Sequence, residues 1–194
     1  MSHYIYQTEG IILGKKNFGE ADQFISFYTA GLGGLKAAAN GVRLLKSKLR
    51  YNLDNLSYAS FSFVRGRESW RVIDAREISG FSIKEDNDKY ISLGRIANLL
   101  SRLVQGEEKN EVLWRIVEKG ICFLDKNSLD KKSIANFEII MALKILDNLG
   151  YIGTTGNLGK FLEGELSLEI VNEMNNFKKE ASLEIRKGLK ESHL

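Results

Sequence analysis

The chain has 194 residues, 43% of them hydrophobic, and a formal net charge of +3. That apolar content excludes a disordered composition, and the length allows one or two domains. A single cysteine, Cys122, excludes an intramolecular disulfide framework, and two histidines, His3 and His193, leave too few ligands for a four-coordinate zinc site built from Cys and His.

The first eighty residues read as strands. Residues 4–13 mix aromatics, Ile and Thr, a strand composition. Residues 23–29, QFISFYT, alternate, with Phe24 and Tyr28 on one face and Ile25 and Phe27 on the other. A third strand is expected over residues 35–39, entered through the turn Gly31-Leu32-Gly33-Gly34. Residues 56–65 and 69–78 form a fourth and a fifth around the hairpin loop Arg65-Gly66-Arg67-Glu68. The segment 43–52 reads as a short helix. Five short strands with glycine turns suggest a small barrel or sandwich, and a five-stranded barrel with a helix between the third and fourth strands is the OB-fold plan. An SH3-like barrel fits the strand count almost as well.

From Asp88 the period becomes helical. Ile96, Leu99, Leu100, Leu103 and Val104 mark one apolar face, with Asp88 expected as the cap and Gly106 as the stop. Asn110 opens a second helix through Leu113, Ile116, Val117 and Leu124. Asp130 caps a third, carrying Ile134, Phe137, Met141 and Ile145 and ended by Gly150. Ser167 begins a fourth, and a fifth runs from about Phe177 to Lys190. Between them, GYIGTTGNLG (residues 150–159) reads as a flexible loop, since it lacks G-x-G-x-x-G and Gly-Lys-Ser/Thr and follows a helix. Strands followed by helices imply an α+β chain. The expected domains are a barrel at 1–80 and a helical domain at 81–194, with the boundary near residues 80–87.

Charge is distributed unevenly. Residues 1–79 hold 11 Lys/Arg against 7 Asp/Glu, and residues 80–194 hold 17 against 18. The stretch from Lys36 to Arg50 contains no acid at all. A basic segment inside a β module is what a phosphate backbone binds. The candidate nucleic-acid contacts are Lys15, Lys16, Lys36, Arg43, Lys46, Lys48, Arg50, Arg65, Arg67 and Arg71. Trp70, flanked by Arg67 and Arg71 near the hairpin loop, is the candidate stacking platform. Exposed members of Tyr51, Tyr58, Phe61 and Phe63 are further candidates to stack on bases, and for each one alone a core role is the better reading.

Catalytic chemistry is sparse. Cys122 lies in the apolar run GICFL and reads as an inert thiol. Glu107-Glu108 and Asp86/Asp88 fall beside helix starts, where capping explains them. Glu20 and Asp22 sit between two strands and read as organising a turn or holding a basic neighbour. No apolar run approaches the roughly 18 residues of a membrane helix, and the N-terminus lacks a signal-peptide pattern. A cytoplasmic protein is expected, without a membrane role.

Several motifs in order resemble the RecO family of recombination mediators: Thr8-Glu9-Gly10-Ile11-Ile12-Leu13, Phe18-Gly19-Glu20-Ala21-Asp22, Thr29 with Gly33, Ala39-Asn40-Gly41-Val42-Arg43, and Lys46-Ser47-Lys48. Residues 137–151, FEIIMALKILDNLGY, and Leu189-Lys190-Glu191-Ser192 extend the likeness into the helices. The resemblance implies an N-terminal OB-fold and a C-terminal helical domain. It implies binding of single- and double-stranded DNA, annealing of complementary strands, and action with RecR to load RecA on DNA coated by single-strand-binding protein. Contact of the helical domain with the acidic, Phe-ending tail of that coating protein is implied too. So are a bacterial, nucleoid-associated location and a role without turnover or cofactor. Arg43, Lys46 and Lys48 match the family's basic OB surface. The chain is shorter than typical members. Where many relatives carry a four-cysteine zinc module it has GYIGTTGNLG, so no structural zinc is expected. Two other classes remain open on residues alone: an RNA-binding OB module, and a metal-dependent nuclease using Glu20, Asp22 or the loop acids.

Overall fold

The computed structural model describes residues 4–67, 69–78, 82–153 and 156–192. The chain divides into two compact units, one of Met1–Phe81 with Leu100–Asn110, the other of Ser82–Leu99 with Glu111–Leu194.

The first unit is built on five strands: β1 (Ile5–Phe18), β2 (Asp22–Thr29), β3 (Gly33–Ala39), β4 (Tyr58–Arg65) and β5 (Trp70–Glu77). They close a barrel in the order β1-β2-β3-β5-β4, antiparallel except for the β3–β5 pair. This is the OB-fold topology. At 14 residues, β1 is long for a strand, because it serves two partners. Its first half pairs with β4 and its second half with β2. A bulge between Ile12 and Gly14 lets it turn the corner. The bulge also reverses which residues face inward. Ile12 belongs to the core before it, whereas Lys15 stands opposite the inward Ile25 after it. Lys16 and Phe18 are thereby sent to the outer face.

The barrel interior holds Ile12, Ile25, Phe27, Leu35, Ala37, Phe61, Phe63, Trp70 and Val72. Phe27 meets Phe61 and Phe63 edge to face at centroid separations of 4.9 and 5.0 Å. Burying each such side chain contributes about 1.5–3 kcal/mol. Ile11, Tyr28 and Tyr58 stand in register on the outer face and are buried as well.

The helix expected over residues 43–52 does not form. The β3–β4 connection is a chain of turns with one 3-10 turn at Lys48–Tyr51. Gly41 has φ +63, and Leu44 and Leu45 are exposed, so the segment has no continuous apolar stripe to dock as a helix. Val42 and Leu53 anchor it in the core, and the half-buried Leu49 packs against that core.

The helices are α1 (Asn87–Leu103), α2 (Glu111–Lys126), α3 (Lys131–Asn148), α4 (Gly159–Glu163), α5 (Leu168–Glu173) and α6 (Lys178–Glu191). In the second unit α3 is central and packs against α2, α4, α5 and α6. Asp130 caps it as expected, accepting the Ser133 amide at 2.8 Å. Hydrogen bonds from the Ser133 side chain and amide hold the Asp130 carboxyl below its ordinary range. Gly150, at φ +79, ends α3, and the Tyr151 amide returns to the Leu146 carbonyl.

Two expectations need correction. The acceptor at the start of α1 is Asp86, whose carboxylate takes the Asp88 and Lys89 amides, while Asp88 pairs with Lys131 at 3.6 Å. The run 150–159 is not a plain loop. Gly156–Leu158 form a 3-10 turn leading into α4, held because Leu158 and Phe161 are buried; residues 154 and 155 lie outside the described residues. His3, His193 and Glu68 also lie outside them.

Candidate nucleic-acid interface

Strand register assembles a row that linear sequence separates. Lys16 lies opposite Phe24, Phe24 opposite Ala38, and Ala38 opposite Arg71. Residues directly opposite share a face. The outer face of β1, β2, β3 and β5 thus carries Lys16, Phe24 and Arg71 in line. Lys36 lies two residues along β3, opposite Ser26. Phe18 closes the row, its ring 5.0 Å from that of Phe24 and edge to face. Phe24 is 37% exposed and Phe18 59% exposed, unusual for phenylalanines on a barrel. Cations interleaved with exposed rings suit a single strand, whose phosphates and unpaired base faces both need partners.

Beside this row lies a cleft of about 720 Å³. Phe24 and Lys36 line it from the strands, Arg65 and Arg67 from the β4–β5 hairpin, and Gly106 and Glu107 from the segment that follows α1. The β2–β3 face and the β4–β5 loop are where OB-folds take oligonucleotides.

The remaining predicted residues fall elsewhere. Arg43, Lys46, Lys48 and Arg50 are exposed on the β3–β4 connection and do not line the cleft. The Arg43 guanidinium donates to the Gly19 carbonyl at 3.2 Å, which leaves its other N–H groups outward. Among the described residues, no carboxylate lies within ion-pair distance of Lys16, Lys36, Lys46, Lys48, Arg50, Arg67 or Arg71. Lys15 differs. Its Nζ donates to the Leu53 carbonyl at 2.8 Å and lies 3.5 Å from Asp54, so it fastens the end of the connection rather than facing a phosphate.

Trp70 also requires correction. It is 4% exposed and sits in the barrel core against Tyr6 and Phe63. Arg65 covers its ring, 5.3 Å from the centroid. An indole so placed supports the cleft and offers no free face to a base. Phe61, Phe63 and Tyr58 are buried, while Tyr51 is exposed. The exposed rings that sequence reasoning missed are Phe18 and Phe24. Both faces of β2 are apolar, so alternation alone did not distinguish inside from outside.

The Asp22 carboxylate accepts the Gly41 amide at 2.7 Å. Glu107 pairs with Arg65 at 3.7 Å. No group of three or more His, Cys, Asp or Glu side chains converges as a metal site among the described residues. Nor, among them, is any helix long and apolar enough to cross a membrane.

A closed barrel of this strand order with a basic, aromatic β2–β3 face defines an OB-fold protein with a helical second unit. Residues 1–81 match the family described as the N terminus of recombination protein O. Similarity then continues into the helices. The chain is 29% identical over 159 residues to the DNA repair protein RecO of Thermodesulfovibrio yellowstonii, covering 79% of this chain and 61% of that one. It is 28% identical over 138 residues to that of Caldicellulosiruptor saccharolyticus, covering 71% and 57%. For Bifidobacterium longum the figures are 26% over 167 residues, 84% and 70%. The chain is thus similar to RecO proteins through its barrel and on into its helices. It spans about three fifths of the length of the first two of these relatives.

Proposed function

We propose that this protein is a DNA-binding mediator of repair and recombination that works through the outer face of its barrel. It holds single strands there, accepts double-stranded DNA through phosphate contacts, and anneals complementary strands. In that role it acts with RecR and with the tail of single-strand-binding protein, and promotes loading of RecA. It functions by binding rather than turnover.

The observation that carries this reading is the row Lys16–Phe24–Arg71 with Lys36 and Phe18 beside it. Cations without ion-pair partners among the described residues lower the repulsion between two phosphate backbones. Exposed rings stack on bases without reading sequence, which annealing of arbitrary sequences requires. The relatives' names favour DNA over RNA as the polyanion.

The test is a strand-annealing assay on DNA with and without single-strand-binding protein, beside competition between DNA and RNA of one sequence. Annealing stimulated by the protein and lost in a Lys16→Glu/Lys36→Glu/Arg71→Glu variant supports the reading. Undiminished annealing by that variant, or preference for RNA, overturns it.

A further inference from the structure

One wall of the cleft comes from far along the chain. Gly106 accepts the Gly34 amide at 3.1 Å. Gly33 has φ +67, and a Cβ there would collide with the Glu108 backbone. Two consecutive glycines thus let segment 104–108 lie directly on the start of β3. This close seating puts Glu107 into the cleft lining, its carboxylate 3.7 Å from the Arg65 guanidinium. Glu107 is the sole acid among the cleft-lining residues described, facing Lys36, Arg65 and Arg67.

An acid in a basic cleft opposes a polyanion, and it engages a cation the polyanion needs. Both members of the pair are solvent-exposed, so the bond is weak and exchangeable. Duplex DNA keeps its base faces inside the stack and meets a protein mainly through its phosphates. A single strand can place a base against Phe24 and a phosphate on Arg65 together, which repays displacement of Glu107.

We propose that Glu107 is a specificity-determining residue, an acidic gate that holds Arg65 in the free protein and yields it to the phosphodiester of a single strand whose base enters the cleft. The gate rests on the proposed binding role of the barrel face. It lowers affinity for single strands, which reach Arg65 with a base in the cleft, and leaves duplex affinity nearly unchanged.

The experiment measures binding of fluorescent oligo-dT and of a duplex of the same length by anisotropy, across a salt series, for the full chain. Glu107→Gln should tighten oligo-dT binding by about three- to fivefold. It should also steepen the logarithmic salt slope by up to about one, because Arg65 then arrives with its counterions. Duplex affinity should change less than twofold. Glu108→Gln, which alters net charge equally, should reproduce neither effect. If Glu107→Gln leaves oligo-dT binding unchanged while Lys36→Glu and Arg65→Glu weaken it, the gate is wrong and the binding face stands. If Glu107→Gln tightens both nucleic acids alike, or Glu108→Gln matches it, the effect is general charge and the gate is wrong. If Lys36→Glu and Arg65→Glu leave binding untouched, the binding face itself fails.

Discussion

Asp22 accepts the Gly41 amide at 2.7 Å, joining the start of β2 to the turn that opens the β3–β4 connection. The Arg43 amide bonds to the Ala21 carbonyl at 3.0 Å across the same junction. Gly41 needs its left-handed φ of +63 there, which removes it from any helix and leaves its amide in want of an acceptor. An acid with this task is a structural acceptor. Asp22→Ala should lower stability by about 1–2 kcal/mol, while Asp22→Asn, which keeps an acceptor oxygen, should cost less than half of that. Urea unfolding of the two variants checks the order. Equal losses would show that the carboxylate charge matters more than the hydrogen bond.

Phe24 should couple energetically to Lys36 and not to Arg43. The first two line one cleft, and Arg43 stands apart on the connection. Phe24→Ala should weaken oligo-dT binding by about 1–3 kcal/mol, the worth of one base–aromatic stack. In a double-mutant cycle with Lys36→Glu, the losses should deviate from additivity by at least about 0.5 kcal/mol. With Arg43→Glu they should add. Coupling of the opposite pattern would move the single strand from the barrel face to the β3–β4 connection.

Much of this barrel was legible because β-sheet side chains alternate and glycine marks turns. The five strands and the hairpin around Gly66 follow from those two facts. Trp70 was misread although the same rule placed it. Arg71 beside it is an outward cation, and strand neighbours point to opposite faces, so Trp70 had to turn inward. Phe24 was not readable in this way, since Tyr28 on its own face is buried and Ile25 on the other face is buried too. Neither was the wall formed by Gly106 and Glu107. Its contact with β3 joins residues some seventy positions apart, and no local pattern encodes that distance. The helix caps divided similarly. Asp130 stood three residues before its partner Ser133 and was readable, whereas Asp86 and Asp88 compete for one helix start and only the backbone path decides between them.

Gly33→Ala tests the seating of the 104–108 segment. The substitution adds a Cβ against the Glu108 backbone and forces φ +67 on a residue that disfavours it. Backbone strain of this kind costs about 1–3 kcal/mol before any steric term. Gly34→Ala meets the Val104 side chain at 3.2 Å, a softer neighbour, and should cost less. The same pair of variants should raise amide hydrogen exchange in residues 104–108, with Gly33→Ala the larger effect. Unchanged exchange in Gly33→Ala would mean that the segment is not held by β3.

Lys144 gives the helical unit a pH dependence of predictable sign. It lies on α3 and is 8% exposed, with Nζ donating to the carbonyls of Leu162 and Gly164, each at 2.7 Å. These bonds tie the end of α4 to α3. Lys144→Met keeps the stem volume and loses both bonds, offset in part by relief of a buried charge, for a net cost of about 2 kcal/mol. Desolvation, the largest influence, pulls the folded-state pKa of Lys144 below 10.5. Between that lowered value and 10.5 the unfolded chain therefore holds more protons than the folded one, and stability from this residue rises with pH. The advantage of the wild-type chain over Lys144→Met should be smallest below the folded pKa and grow as pH approaches 10.5. Urea midpoints for both proteins at several pH values from neutral upward measure that difference directly. A gap that narrows with rising pH would mean that the charged ammonium is favoured in the folded state, contrary to its burial.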